Sequence, residues 1–173
     1  MEWMCLATPD GWVRLGWTHR GLAQVQLPPL DPEKPAQFNG SPPSVSSISI
    51  PPDWQKAARE ELLQLLAGKP VPQSRVPLDL PDRSPFWRKV WLALREIPHG
   101  QVLSYKELAR KIGAPKAVRA IGQACAANPI PLWIPCHRVI RSDGTLGGYS
   151  QGLEWKIRLL QREGILTSGN SPR

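Results

Sequence analysis

Proline divides this chain into two halves that follow different rules. Twenty of its 173 residues are Pro. Each fixes φ and removes an amide donor, so neither a helix nor a sheet can run through a proline cluster. One cluster falls in residues 28–52, which are rich in Pro and Ser and show no hydrophobic period. Another falls in residues 69–83. Everything else must fold in short pieces between these breaks. Before the first break, residues 3–8, 11–18 and 20–27 read as short strands. Pro9-Asp10-Gly11 and His19-Arg20-Gly21 are the turns of an antiparallel meander. Residues 28–52 are expected to form a long irregular loop, of a kind uncommon inside compact domains. Asp53 then opens a helix to about Ala67. Leu62, Leu63, Leu65 and Leu66 supply its apolar side and Gly68 stops it. Residues 69–83 read as a link between two domains.

The second half is regular. Ser84-Pro85 is an N-cap followed by Pro at the first helical position. Phe86, Trp87, Val90, Trp91 and Leu94 mark one face of that helix, and Pro98-His99-Gly100 ends it. Ser104-Tyr105-Lys106-Glu107 forms a capping box. Tyr105, Leu108, Ala109 and Ile112 give the next helix its stripe, and Gly113 ends it. Pro115 restarts a helix almost at once, which reads as helix-turn-helix. At 100° per residue, Val118, Ile121, Gly122 and Cys125 share one face and should be buried. Lys116, Arg119, Ala120, Gln123 and Ala127 share the other. Such a basic, small-residue face suits close approach to a nucleic-acid groove, with Arg119 standing out from it; a solvated surface is the plainer alternative. A last helix over about 153–163 should bury Leu153, Ile157 and Leu160. Residues 167–173 read as a disordered tail.

Charge points the same way. The formal net charge is +8 and the sequence pI about 9.9. This favours a polyanionic partner, nucleic acid before an anionic membrane surface. Cys5, Cys125 and Cys136 are too few and too scattered for a disulfide framework, and no Cys/His spacing suggests zinc. Free thiols fit a reducing compartment. The N-terminus lacks the basic region and apolar core of a signal peptide, and no apolar run is long enough to span a membrane.

The residues with most chemistry are Pro135-Cys136-His137-Arg138-Val139, behind the apolar approach Ile130-Pro131-Leu132-Trp133-Ile134. A thiol is a weak nucleophile until a base or a positive field makes it a thiolate. His137 is the nearest base and Arg138 adds positive charge. In an extended segment neighbouring side chains point apart, so a water between Cys136 and His137 is more plausible than a direct bond. A buried structural Cys is the plainer reading. Gly147-Gly148-Tyr149-Ser150-Gln151-Gly152 is a glycine-rich loop whose amides could approach a ligand. Glu163, at a helix C-terminus, opposes the macrodipole and needs a partner. His137 fits from the inner side; Arg162 or Lys156 fits from the surface.

Taken together, these pieces resemble the DNA-binding and catalytic domain of the guanine-O6 alkyltransferases, the methylated-DNA–protein-cysteine methyltransferases. The resemblance covers Ser84 to Gly164, about half the chain. It is carried in family order by Ser104-Tyr105, by Pro115 through Ala120, by Asn128-Pro129, by Ile134 through Val139, by Gly148-Tyr149 with Gly152, and by Glu163. It implies an α+β fold: an N-terminal α/β domain with a small antiparallel sheet and a helix (1–80), then a mainly helical domain with a helix-turn-helix and a short catalytic strand or loop (81–166).

The activity it implies is irreversible, stoichiometric transfer of an alkyl group from O6 of guanine in DNA, with O4 of thymine as a second source, to Cys136 after base flipping. By resemblance His137 deprotonates Cys136 through a water and Glu163 orients His137. Asn128 braces the segment, or simply turns the chain before Pro129. Tyr105 serves guanine N3 and crowds a phosphate, or simply packs in the first helical turn. Pro131, Val139, Tyr149 and Ser150 bind the base. Arg119 fills the vacated stack. Ser104, Lys116, Ala117, Ala120, Gly122 and Gln123 face the minor groove. Gln151, bulkier than its usual counterpart, would narrow the pocket. No cofactor and no metal is implied. The expected partner is double-stranded DNA, met by a monomer in the cytoplasm or beside the nucleoid or nuclear DNA. A damage sensor without an acceptor, a plain helix-turn-helix regulator and a Cys–His hydrolase are the alternatives. Cys136 opposes the first, the coincidence of Cys136, His137 and Glu163 opposes the second, and adjacent Cys and His give the wrong geometry for the third.

Overall fold

The computed structural model describes residues 1–30 and 50–167. Most of the irregular loop expected over 28–52, and all but the first residue of the expected tail, lie outside the described residues. Three strands, β1 (Glu2–Thr8), β2 (Gly11–Thr18) and β3 (Gly21–Gln26), form an antiparallel sheet in the order β1-β2-β3. Pro9-Asp10 and His19-Arg20 make its two turns, and the β2–β3 register shifts by one residue at Gly16/Trp17, where Ala23 of β3 is the extra residue. β2 alternates as a half-buried strand should. Val13, Leu15 and Trp17 point into the core. A segment within the second proline cluster docks on the free edge of β3. Leu78 runs parallel to Leu22, whose N–H donates to the Pro77 carbonyl at 2.8 Å.

Helix α1 (Pro52–Leu66) covers the sheet, with Trp54 stacked on Trp17 at 6.4 Å between ring centroids. Its buried side is Ala57, Ala58, Glu61, Leu62 and Leu66. Leu63, expected inside, is 39% exposed and Leu65 only half-buried. Four leucines in five residues cannot all share one face at 3.6 residues per turn, and the two alanines a turn earlier complete the stripe.

In the second half, α2 (Pro85–Arg95) starts where Ser84 accepts the Trp87 N–H, and it buries Val90, Trp91, Ala93 and Leu94. Strand β4 (Leu103–Ser104) leads into α3 (Tyr105–Lys111) through a complete capping box. Ser104 Oγ accepts the Glu107 N–H at 3.1 Å, and Glu107 accepts the Ser104 N–H at 2.7 Å. Gly113, at φ +72°, makes the left-handed turn that reverses the chain. α4 (Val118–Ala126) begins three residues beyond Pro115, not at it. After a 3₁₀ turn over Cys136–Arg138, strand β5 (Val139–Ile140) pairs parallel to β4, and α5 (Leu153–Arg162) closes the chain. The buried residues of α5 are Trp155, Lys156, Leu159 and Leu160. The expectation for this helix fails at two positions: Leu153 is 44% exposed and Ile157 half-buried. A buried lysine turns the helix to a face that a hydrophobic wheel ignores. No helix among the described residues is long and apolar enough to cross a membrane.

The two halves are stitched by polar contacts. The Val25 N–H donates to the Pro129 carbonyl at 2.8 Å, and the Trp155 indole to the Pro28 carbonyl at 2.6 Å. Asp10, at the tip of the first hairpin, accepts Arg158 at 2.7 Å and both terminal nitrogens of Arg162. Arg162 also caps the end of α1 at the Leu66 carbonyl. These guanidiniums, Arg162 first, hold the Asp10 carboxyl below its usual range. Asp10→Asn should therefore destabilise the fold by about 1–2 kcal/mol, since both arginines are partly solvated and the pairs correspondingly weakened. Urea unfolding at neutral pH checks this, and an unchanged midpoint would show that the clamp contributes nothing.

Candidate functional site

The apolar approach and the Cys-His pair form one continuous buried stretch, residues 130–140. Backbone groups buried this way need partners, and Asn128 supplies several. Its Nδ2 donates to the Ile134 carbonyl at 2.7 Å and to Cys136 Sγ at 3.0 Å, while its Oδ1 accepts the Ile130 N–H at 3.1 Å. Asn128 is thus both the turn residue and the brace, and it aims a donor at the sulfur. The Cys136 N–H donates to the Ile134 carbonyl at 2.8 Å, and the Arg138 N–H to that of Pro135 at 3.0 Å. The backbone at Cys136 is a 3₁₀ turn, not the extended segment expected. Pro135 fixes the entry, and short i→i+3 bonds satisfy the turn locally.

His137 Nε2 lies 2.8 Å from Glu163 Oε1, and both side chains are almost fully buried. Arg138 grips the same carboxylate from Nε at 2.9 Å and Nη2 at 3.0 Å, and its Nη1 donates to the Ile97 carbonyl at 2.8 Å. Of the partners weighed for Glu163, the inner one, His137, is bonded to it, and Arg138 joins it unforeseen. Glu163 sits at the C-cap of α5, where the macrodipole disfavours it, and two cationic or polar donors offset that cost. Burial pushes its pKa up, but the bonds from His137 and Arg138 outweigh burial and hold it at about 2. Burial lowers the His137 pKa despite Glu163, so the imidazole is neutral at pH 7. A neutral ring that donates from Nε2 to a carboxylate carries its lone pair on Nδ1, a tautomer assigned here from the hydrogen bonds. His137 Nδ1 is buried and has no hydrogen-bond partner among the described residues.

Arg138 spends its charge on Glu163. The positive charge that acts on Cys136 comes instead from Lys156, whose importance the sequence hid. Lys156 is fully buried on α5, and its ammonium donates to the carbonyls of Val139 at 2.7 Å, Leu146, and Gly148 at 3.3 Å. Its three N–H bonds match three carbonyls. They pin the glycine-rich loop to the strand that follows Cys136. Burial lowers the Lys156 pKa to about 8, so it stays charged at neutral pH. Burial raises the Cys136 pKa to about 11, against the opposing pull of Asn128 and Lys156. The resting group is therefore a thiol that needs a base.

Cys136 opens onto a cavity of about 520 Å³. Tyr105 stands on one side, the glycine-rich loop through Gly148, Tyr149 and Ser150 on another, and α4 on the third through Val118, Gly122 and Cys125. Here the helical wheel misleads. Of its four inward residues Ile121 and Cys125 are buried, but Val118 is 36% exposed, Gly122 is half-buried, and both line this cavity. Ala124 takes the core place, its carbonyl accepting the Trp91 indole at 2.8 Å. An apolar stripe marks a cavity wall as readily as a core. Cys125 thus lies in the same cavity as Cys136, and burial keeps its thiol protonated.

Tyr105 reaches the cavity because the parallel pair Ser104↔Ile140 sets the start of α3 beside the turn that carries Cys136. Burial raises its pKa to about 12, so its hydroxyl remains a donor. A side chain at Gly147, where φ is +71°, would press on that hydroxyl. The Tyr149 ring meets His137 edge-on at 6.4 Å. Pro131 and Val139 are buried and do not line the cavity. Gln151 turns away from it and accepts the Leu27 N–H at 3.0 Å, so it does not narrow the pocket as expected. Lys116, Arg119 and Gln123 are exposed on or just before α4, Ala117 and Ala120 are half-buried there, and Ser104 is occupied in its capping box.

Comparison with known proteins places this arrangement among relatives. The family model for the 6-O-methylguanine DNA methyltransferase DNA-binding domain matches residues 85–165. A methylated-DNA–protein-cysteine methyltransferase of Methanosarcina barkeri is 48% identical over 120 residues, covering 67% of this chain and 76% of that protein. The bifunctional transcriptional activator/DNA repair enzyme Ada of Escherichia coli is 40% identical over 146 residues, which are 84% of this chain but only 40% of that longer protein. A crystal structure of Mycobacterium tuberculosis OGT in complex with DNA superposes with a TM-score of 0.74 at 33% identity, covering 95% of this chain and 93% of that one.

The buried charge cluster predicts acid sensitivity with a definite sign. Glu163 is depressed from 4.5 to about 2. Its contribution to stability is complete above pH 4.5 and is lost as the pH falls towards 2. His137, also depressed, adds a loss that begins below its ordinary 6.5. Melting temperatures between pH 7 and pH 2.5 should fall steeply for the wild type. Glu163→Gln should start lower at pH 7 and fall less between pH 4.5 and 2.5. Parallel curves would remove Glu163 as the group responsible.

Proposed function

Because this chain belongs to the 6-O-methylguanine DNA methyltransferase family, we propose that it repairs DNA by moving the alkyl group of an O6-alkylguanine onto its own Cys136. It acts as a methylated-DNA–protein-cysteine methyltransferase. The observation that carries this reading is the hydrogen-bonded line Arg138–Glu163–His137, with a buried sulfur on a cavity floor one residue before the imidazole. His137 Nδ1 takes the Cys136 proton through a water molecule, and Glu163 stabilises the imidazolium that forms. The Asn128 amide and the Lys156 charge support the thiolate. The sulfur attacks the alkyl carbon. The S–C bond forms as the C–O6 bond breaks, and the thiol proton ends on guanine by way of His137 and solvent. A thioether has no easy route back, so each molecule acts once.

Tyr105 supplies a hydroxyl to the departing base at N3, and Ser150 with the neighbouring amides meets O6. Tyr149 packs His137 against the base, while Pro131 and Val139 support the cavity from beneath its wall. A base in a duplex cannot reach this floor, so it is extruded, at a cost of a few kcal/mol that falls for a poorly paired lesion. Arg119, exposed near the start of α4, fills the gap. Lys116 and Gln123 meet the backbone, the Ser104 hydroxyl donates to phosphate while accepting its cap, and Ala117, Ala120 and Gly122 let α4 enter the minor groove. The chain acts as a monomer on double-stranded DNA, where that DNA is kept. The acceptor thiol separates it from a sensor that only binds lesions.

A duplex carrying labelled methyl-O6-guanine tests this. Label should appear on protein at no more than a single methyl per molecule, and Cys136→Ala should take none. Repeated turnover, or label on the Cys136→Ala protein, would refute the mechanism. Arg119→Ala should slow transfer from duplex by about tenfold or more while leaving transfer from free alkylguanine unchanged. Equal loss on both substrates would remove the finger role. Affinity for duplex should fall steeply with salt, linearly on a double-logarithmic plot; a flat response would contradict phosphate contacts by this basic face.

A further inference from the structure

Behind the catalytic turn lies a second cavity of about 260 Å³. Leu132, Trp133, Pro135 and Arg138 form its near wall, and Val71 and Ser74 belong to its far side. Packing therefore does not fill the space behind the segment that carries Cys136. The segment is also strained. Leu132 has φ +79°, the only positive value among the described non-glycine residues. A leucine is disfavoured there, and such a conformation persists only where the surroundings over-determine it.

Two restraints on this segment are internal, from Asn128 and from the Ile134 N–H to the Ile130 carbonyl at 3.0 Å. A third comes from the other half of the molecule. The Trp133 indole donates to Glu61 Oε2 at 2.8 Å. Glu61 projects from α1 and is only 3% exposed, an unusual place for a carboxylate. Ser74 Oγ donates to the same oxygen at 2.7 Å and the Arg75 N–H to the other at 2.7 Å. Three donors satisfy the buried acid, and Trp133 is the one that leads to the site.

We infer that Glu61 is a positioning residue for alkyl transfer: through the Trp133 indole it fixes the strained backbone over 132–134, and so sets where Cys136 meets the lesion. The chain of contacts is short, because the Cys136 N–H bonds to the carbonyl of Ile134, the residue after Trp133. With the indole released, the rear cavity offers room for the tryptophan to shift. A displacement of the sulfur by an ångström or less is enough to slow an in-line attack. The inference rests on Cys136 being the acceptor.

The experiment compares wild type, Trp133→Phe, Glu61→Leu, Glu61→Gln and the Trp133→Phe/Glu61→Leu double variant at a temperature where each is folded by circular dichroism. Three quantities are read: the single-turnover rate of methyl transfer from duplex, the rate of Cys136 alkylation by iodoacetamide across pH 6–10, and affinity for unmodified duplex. Trp133→Phe and Glu61→Leu should each lower the transfer rate by about tenfold, displace the iodoacetamide pH profile and leave duplex affinity unchanged. Glu61→Gln keeps an oxygen acceptor for the indole and should restore most of the rate. The double variant should be no slower than either single one. A merely structural role would lower melting temperatures while folded protein kept wild-type rates, and that result overturns the inference. If Glu61→Leu does not fold, Trp133→Phe against Glu61→Gln decides. If wild type takes up no methyl group, the acceptor reading fails, and the iodoacetamide profiles still decide whether the indole positions the thiol.

Discussion

One carboxylate organises the centre of this molecule. Glu163 accepts His137 and Arg138 together, at the buried end of α5, where its charge opposes the helix dipole. Removing it would leave a buried guanidinium with one carbonyl partner and an imidazole with no fixed orientation. Because Glu163 holds Nε2, the basic nitrogen of His137 is Nδ1. Because Arg138 is neutralised there, the turn carrying Cys136 can be buried at all. The chemistry follows from that arrangement: a protonated resting thiol, a neutral base beside it, and an amide and an ammonium set to receive the thiolate.

The charges divide the work. Arg138 is structural and Lys156 electrostatic, although both lie within the same buried region. Lys156 satisfies three carbonyls of the loop and strand around the cavity, so the residue whose charge acts on Cys136 also fixes the cavity wall. The first half of the chain takes part. Asp10 clamps α5 close to Glu163, Pro129 accepts a strand amide from β3, and Gln151 anchors the glycine-rich loop to Leu27. The site is therefore framed by contacts from both sides of the second proline cluster.

What the sequence made legible was local. The Ser84-Pro85 start, the Ser104–Glu107 box and the Gly113 stop are signals spelled within four residues, and each forms as read. The Cys-His pair was also readable because it is contiguous, and Glu163 stood out as an acid in an unfavourable place, although its spacing fitted an inward and a surface position equally. What was hidden depends on distant partners. Lys156 and Glu61 look like surface residues until the carbonyls and the indole that receive them are in place. Val118 and Gly122 read as core because a wheel records apolarity and not whether the space opposite is filled. The segment at Cys136 read as extended, whereas Pro135, at its entry, leads into a 3₁₀ turn.

In the proposed mechanism a neutral His137, held at Nε2 by Glu163, offers Nδ1 as the base for Cys136. Long-range ¹H–¹⁵N correlation spectra of imidazole-labelled protein at pH 7 test it most directly. One buried histidine should show a protonated Nε2 and a pyridine-like Nδ1, lost as a distinct signal in His137→Gln. An imidazolium, or a ring protonated at Nδ1, would contradict it.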